Sequence, residues 1–214
     1  MTPTARLAAT LTPILFIGVD LADALTRSRY DPLHHWVSHL SLGSRGWLGT
    51  GKLTLCAVLL VVAAAGLRRA TKPAGGGWSW RTVAAAGLGL LAAAALPMDP
   101  GLGYPAGAEK AAPSWHGTGH DIAAAVLVGA LAAAGWLLGR DLRRAGHDGA
   151  WQTAGRCVTV VVVAGFVACS ALVGLDYAGV LPGAPSGLLE RVSLYTGVGW
   201  LGLATRQALR PVGG

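Results

Sequence analysis

The sequence predicts an all-α polytopic membrane protein with six transmembrane helices, both termini cytoplasmic, and a short re-entrant or interfacial helix between the first two spans. Three observations carry that expectation. Of 214 residues, 53% are hydrophobic and 13% charged, against roughly 25% charged in soluble domains. The apolar residues fall into six blocks of about the length needed to cross a bilayer core, about 20 residues per helix. Lys and Arg are divided unevenly between the two sets of loops that those blocks define.

The blocks run from Leu7 to Leu25, Leu48 to Leu67, Thr82 to Met98, Trp115 to Leu138, Cys157 to Leu175 and Leu188 to Thr205, and residues 1–214 read as a single integral membrane domain. The first follows Arg6 without a small-residue cleavage site, so it is expected to be a retained span and not a removable signal. The blocks are rich in Ala and Gly, which suits helices that approach closely within a membrane. Eleven basic residues (Arg6, Arg68, Arg69, Lys72, Arg81, Arg140, Arg143, Arg144, Arg156, Arg206 and Arg210) share a face with the termini, against Arg27, Arg29, Arg45, Lys52, Lys110 and Arg191 on the other. By the positive-inside rule the termini are cytoplasmic and the opposite loops face out, as in a multi-pass plasma-membrane protein. The net charge of +7 does not point to nucleic acid, because the basic residues are scattered between apolar blocks and form no recognition element. Cys56, Cys157 and Cys169 all fall in apolar runs and read as small buried hydrophobes.

Polar residues collect on the face opposite the termini. "YDPLHHWVSHLSLGSRGW" (Tyr30 to Trp47) places His34, His35 and His39 within six residues. "WHGTGHD" opens the fourth block with His116 and His120 four apart, on one face of a helix, a spacing that can set two imidazoles on one metal ion. Asp20 and Asp23 share a face near the end of the first block, Asp99 follows the third, and Asp176 and Glu190 sit at span ends as boundary residues. Ionisable groups within spans are costly unless they face a cavity or a partner. Gly117 and Gly119, between the paired histidines, imply that something approaches that backbone closely: a metal, a headgroup or a neighbouring helix. Trp36, Trp47 and Trp115 are candidate interfacial anchors and substrate contacts. Arg29 and Asp31 are candidate substrate contacts too, or pair with each other.

"RYDPLHHWVSHLSLGSRGWL", "PMDPG" and "WHGTGHD" together resemble a bacterial six-helix membrane family of unknown function, a likeness that covers most of the chain and singles out Asp31, Ser38, Asp99, His116 and His120. The order of Ser and His near the second span, Asp after the third and His-x-x-x-His on a later helix is similar to the membrane hydrolase superfamily of alkaline ceramidases and adiponectin receptors. That group has seven spans, with the paired histidines on the last; here there are six, with the pair on the fourth. The similarity implies zinc held by His116, His120 and one of His35 or His39, with Ser38 and Asp99 beside the metal-bound water.

The leading expectation is therefore a metal-dependent hydrolase or modifying enzyme for a lipid-like substrate at the outer leaflet. Zinc would activate water, with Asp99 as general base or its orienting partner and Ser38 helping to hold the oxyanion. The alternative is a metal-independent cyclase of prenyl chains, in which Asp20, Asp23 or Asp99 protonates an olefin or epoxide and Trp rings stabilise the cation. A third reading is non-catalytic: a proton-coupled carrier, a haem-binding electron carrier or an accessory subunit.

Overall fold

A computed structural model describes residues 3–71, 77–108 and 112–210, which leaves Lys72 and Lys110 outside the described residues. Six helices follow one another: α1 (Pro3–Thr26), α2 (Gly46–Thr71), α3 (Ser79–Ala95), α4 (Trp115–Arg144), α5 (Ala150–Tyr177) and α6 (Ser186–Ala208). A short 3-10 turn, Val37–Ser41, lies between α1 and α2, where the sequence predicts an interfacial or re-entrant helix.

α1, α2, α4 and α5 are long and apolar enough to cross a membrane, and α3 is a shorter apolar helix. The 17 residues of α3 make about 26 Å of helix, close to the thickness of a hydrocarbon core. α6 carries Glu190 and Arg191 near its start yet buries most of its length in the bundle. The chain is thus an all-helical, multi-pass membrane protein.

Each helix packs on its neighbours in chain order, and α6 closes the ring against α1 while also touching α4. α1 and α6 run antiparallel, with Asp20 beside Arg191 and Gly202 against Ala9. The start of α1 and the end of α6 therefore lie at one end of the bundle, and residues 27–45, 96–108, 112–114 and 178–185 lie at the other, here called the distal end. The packing depends on small residues: a Cβ on Gly155 of α5 would collide with the Gly135 carbonyl of α4, so these two backbones meet directly. Without water to drive apolar association, such close approach is how membrane helices gain contact. α5 is the least enclosed helix, with Val160, Val163 and Val167 outward, and its Cys157 is exposed while Cys56 and Cys169 are buried.

The helix ends follow local rules. α3 stops at Ala95, three residues before the apolar block ends, because Leu96 precedes Pro97 and is driven to extended backbone, its ψ being 103°. α5 begins seven residues before its block, since Gln152 and Arg156 can extend a helix beyond the lipid.

Candidate functional site

The segment from Tyr30 to Arg45 is mostly non-helical backbone docked on the bundle, and such backbone survives at membrane depth only where protein satisfies its polar groups. Two buried arginines do this. Arg191 of α6 donates Nη1 to the carbonyls of Pro32 (2.7 Å) and His35 (2.8 Å), and Nη2 to the Tyr30 hydroxyl. Arg27, just past α1, donates to the carbonyls of Leu42 (2.8 Å) and Arg45 (3.0 Å) and to the Tyr104 hydroxyl (3.1 Å). The first amides of α6, which have no partner within their own helix, are taken by the same segment: Gly187 N–H donates to the His34 carbonyl and Leu188 N–H to that of Leu33.

Asp20 and Asp23, expected as acid catalysts, are the counter-charges of this scaffold. Asp20 is fully buried and accepts from Lys52 Nζ (2.6 Å), Arg191 Nε (3.2 Å) and the Tyr195 hydroxyl (2.5 Å). Asp23 accepts from Arg27 (2.5 Å) and lies 2.8 Å from Arg45 Nη2. Neither lines the distal cavity described below. Arg29 and Asp31 do not line it either: Arg29 is an exposed residue at φ 57°, and Asp31 accepts from the Leu33 amide at 2.8 Å.

A cavity of about 410 Å³ opens at the distal end among the 3-10 turn, the α3–α4 connection and the ends of α4, α5 and α6. It brings together Trp36, Ser38, His39, Asp99 and His120 from separate sequence stretches. It leaves out His35 and His116, as well as Trp47 and Trp115, which are 70% and 79% exposed on the outside.

The hydrogen-bond partners fix what each imidazole can do. His39 Nδ1 accepts from the Trp36 amide at 2.9 Å, which can only donate, so the ring proton sits on Nε2. His120 Nδ1 faces the carbonyls of Leu96 (2.8 Å) and Ala93 (3.1 Å), which can only accept, so Nδ1 carries the proton and Nε2 offers a lone pair. Both Nε2 atoms are buried without a hydrogen-bond partner among the described residues, as is Trp36 Nε1. The residues that line the cavity thus carry one unpaired acceptor and two unpaired donors, an arrangement costly to maintain without a ligand or water. Burial, reinforced by His35, His34 and His120, pushes the His39 imidazole down to about 3, which keeps it neutral.

His35 is different. Its Nδ1 accepts from the Asp31 amide (2.8 Å) and its Nε2 donates to the Leu102 carbonyl (3.1 Å), so it is a latch between two loops with no lone pair left for a ligand. Its own pKa is lowered, chiefly by burial. His116 donates Nδ1 to the Pro97 carbonyl at 2.8 Å and lies outside the cavity. The ligand set that the resemblance implies is therefore not assembled, and among the described residues no group of three or more His, Cys, Asp and Glu stands close enough to hold a metal ion.

Asp99 accepts from the Ser114 hydroxyl (2.7 Å) and amide (2.8 Å), while Ser114 Oγ caps the Gly117 amide at 2.9 Å. The carboxylate sits over the first turn of α4, where a Cβ on Gly117 would strike it; Gly119 in turn faces the Leu96 side chain. What approaches the two glycines is the end of α3 and the turn that follows it. The Ser114 hydrogen bonds hold the Asp99 carboxyl below its ordinary range, which makes it a weaker base than an imidazole.

The chain's sequence, compared with families, matches one described as a protein of unknown function (DUF998) over residues 10–207. The chain belongs to the DUF998 family. No curated protein and no solved structure matches it. In this DUF998 member the sequence reading missed Glu190, read as a boundary residue: it is buried on α6, lines the cavity and accepts from the Val37 amide at 2.6 Å. Asp121 and Tyr177 also line it. The one signal for Glu190 was an acidic residue next to Arg191 in an apolar helix, where a charge needs a purpose.

Proposed function

We propose that the protein is a membrane enzyme that hydrolyses or transfers an ester or amide linkage of a lipid-like substrate, using His120 as general base in the distal cavity. The observation that carries this reading is the pair of buried, unpartnered imidazole nitrogens with opposite roles, His120 Nε2 as acceptor and His39 Nε2–H as donor. In hydrolysis His120 Nε2 takes a proton from water as the water oxygen bonds to the carbonyl carbon. The oxygen that gains charge accepts from His39 Nε2–H and Trp36 Nε1–H, donors placed in advance as electrostatic stabilisation requires. On collapse the carbonyl re-forms, the bond to the leaving group breaks, and His120 returns the proton to the departing alcohol or amine. Ser38, on the cavity wall, is the attacking hydroxyl in a transfer variant of the same chemistry. The prenyl-cyclase reading is less well supported, since Asp20 and Asp23 hold cations away from the cavity and Asp99 is a poor proton donor.

The excess of Lys and Arg toward the termini supports a cavity on the extracytoplasmic side of the plasma membrane, where one integral domain would meet membrane lipids or a hydrophobic small molecule. The test is turnover of long-chain acyl esters and amides by purified protein in nanodiscs, with His120→Asn beside it. Asn keeps a donor toward the Leu96 carbonyl and removes Nε2. The expected loss is about 10²–10⁴-fold, the usual contribution of a general base. Undiminished turnover by that variant refutes the reading. Loss of wild-type turnover on chelation, restored by zinc, would replace it with a metal mechanism.

A further inference from the structure

We infer that the distal cavity takes an amphiphile whose head bears an amine, in preference to phosphate or carboxylate heads; this rests on the cavity being the substrate site and names the substrate class. Three carboxylates reach it from three elements: Asp99 from the α3–α4 connection, Asp121 from α4 and Glu190 from α6. No Lys or Arg is in its lining among the described residues. The buried cations of this end are held elsewhere, Lys52 and Arg191 on Asp20 and Arg27 on Asp23. An anionic head entering the cavity would therefore meet like charge with no counter-ion, which is how a site rejects a wrong partner.

The two unpartnered nitrogens add what acidity alone does not. His120 Nε2, on a residue 2% exposed, can accept a hydrogen bond from an ammonium, and His39 Nε2–H, on a residue 1% exposed, requires an acceptor. A head that satisfies both carries an amine and a nearby hydroxyl or carbonyl oxygen. The aromatic rings of Trp36, Phe166 and Tyr177 in the same lining are of the kind that favours a cation further, and Met98 and Val173 supply apolar wall for the chain that follows.

The experiment titrates dodecylamine, dodecanol and dodecyl phosphate separately into the protein in phosphatidylcholine nanodiscs and follows the Tm, since a ligand of the folded state raises it by mass action. The comparison is an Asp121→Asn, Glu190→Gln double variant, in which the glutamine side-chain oxygen still accepts from the Val37 amide and general membrane effects persist. Dodecylamine should stabilise the wild type, dodecyl phosphate should not, and the double variant should need about tenfold more amine or beyond, the loss of a charge-assisted contact. Equal stabilisation by phosphate, or equal response of the two proteins to amine, overturns the inference. Ester or amide turnover without amine preference would sink this inference and leave the enzyme reading standing. Amine preference in a protein whose turnover is untouched by His120→Asn would do the reverse.

Discussion

Asp20→Asn tests whether the buried charges of the distal end hold the fold together. Asp20 has no solvent exposure and serves Lys52 Nζ at 2.6 Å and Arg191 Nε at 3.2 Å. Arg191 keeps its carbonyl partners at Pro32 and His35 when the charge is removed. Lys52, its side chain 1% exposed, keeps the neutral asparagine oxygen and the Phe16 ring, 5.0 Å from Nζ, but no counter-charge among the described residues. Removing one partner of a buried pair costs about 3–5 kcal/mol, because the other charge stays desolvated. At roughly 2–4 °C per kcal/mol for a chain of this size, the Tm in detergent should fall by about 10 °C. Adding Lys52→Met should recover a good part of that loss, since it removes the stranded cation. A fall of less than about 2 °C, or a double variant no more stable than the single, would refute the assignment of Asp20 as the counter-charge of Lys52.

Arg27→Met should free the carbonyls of Leu42 and Arg45 and raise amide exchange between Tyr30 and Arg45, whereas Arg45→Ala, with that side chain 40% exposed, should cost no more than about 1 kcal/mol. Gly117→Ala should push the Asp99 carboxylate off the start of α4 and lower stability by about 1–3 kcal/mol, the usual cost of overpacking, measurable as a Tm shift; Ser114→Ala, which removes both the cap and the hydroxyl's bond to Asp99, should cost about 1–2 kcal/mol. His39 makes stability depend on pH with a fixed sign: its folded pKa of about 3 lies below the ordinary 6.5, so the unfolded chain binds the extra proton. Its contribution is complete above pH 6.5 and declines as pH falls toward 3, by up to about 1.4 kcal/mol per unit. A Tm–pH profile of His39→Gln should be flatter than wild type across that window; parallel profiles would reject the assignment.

The six helices were legible because hydropathy reports directly on the solvent that each segment needs. Their ends were less so, as α3 and α5 show: a proline after Leu96 stops one helix inside an apolar block, and helix can continue past the lipid in the other. The site was half legible. Titratable residues on the distal face were visible as exceptions to an apolar pattern, but their partners were not. Asp20 meets Lys52 and Arg191, 32 and 171 positions away, and no local spacing reveals such a pairing. The choice between His35 and His39 rests on which backbone amide or carbonyl meets each ring nitrogen. That depends on the path of the segment after Tyr30, and it follows from Arg191 on another helix.

The same distinction separates scaffold from chemistry at this end of the molecule. The ionisable groups that tie the loops to the bundle have their complements: Asp20 with Lys52 and Arg191, Asp23 with Arg27, His35 with Asp31 and Leu102. His39 and His120 are held as firmly at Nδ1, yet each leaves Nε2 buried in a residue that lines the cavity, with nothing to bind it among the described residues. If these rings served only packing, an apolar residue of similar shape would remove the desolvation cost at no loss. Replacing His120 by Leu should therefore raise stability if the ring is structural filler. If its Nδ1–H is needed to hold the end of α3, the same change should lower stability by leaving the Leu96 carbonyl unpaired, and His120→Asn should restore it. Stability rescued by Asn without rescued turnover would assign the two ring nitrogens separate tasks, Nδ1 to the fold and Nε2 to the reaction.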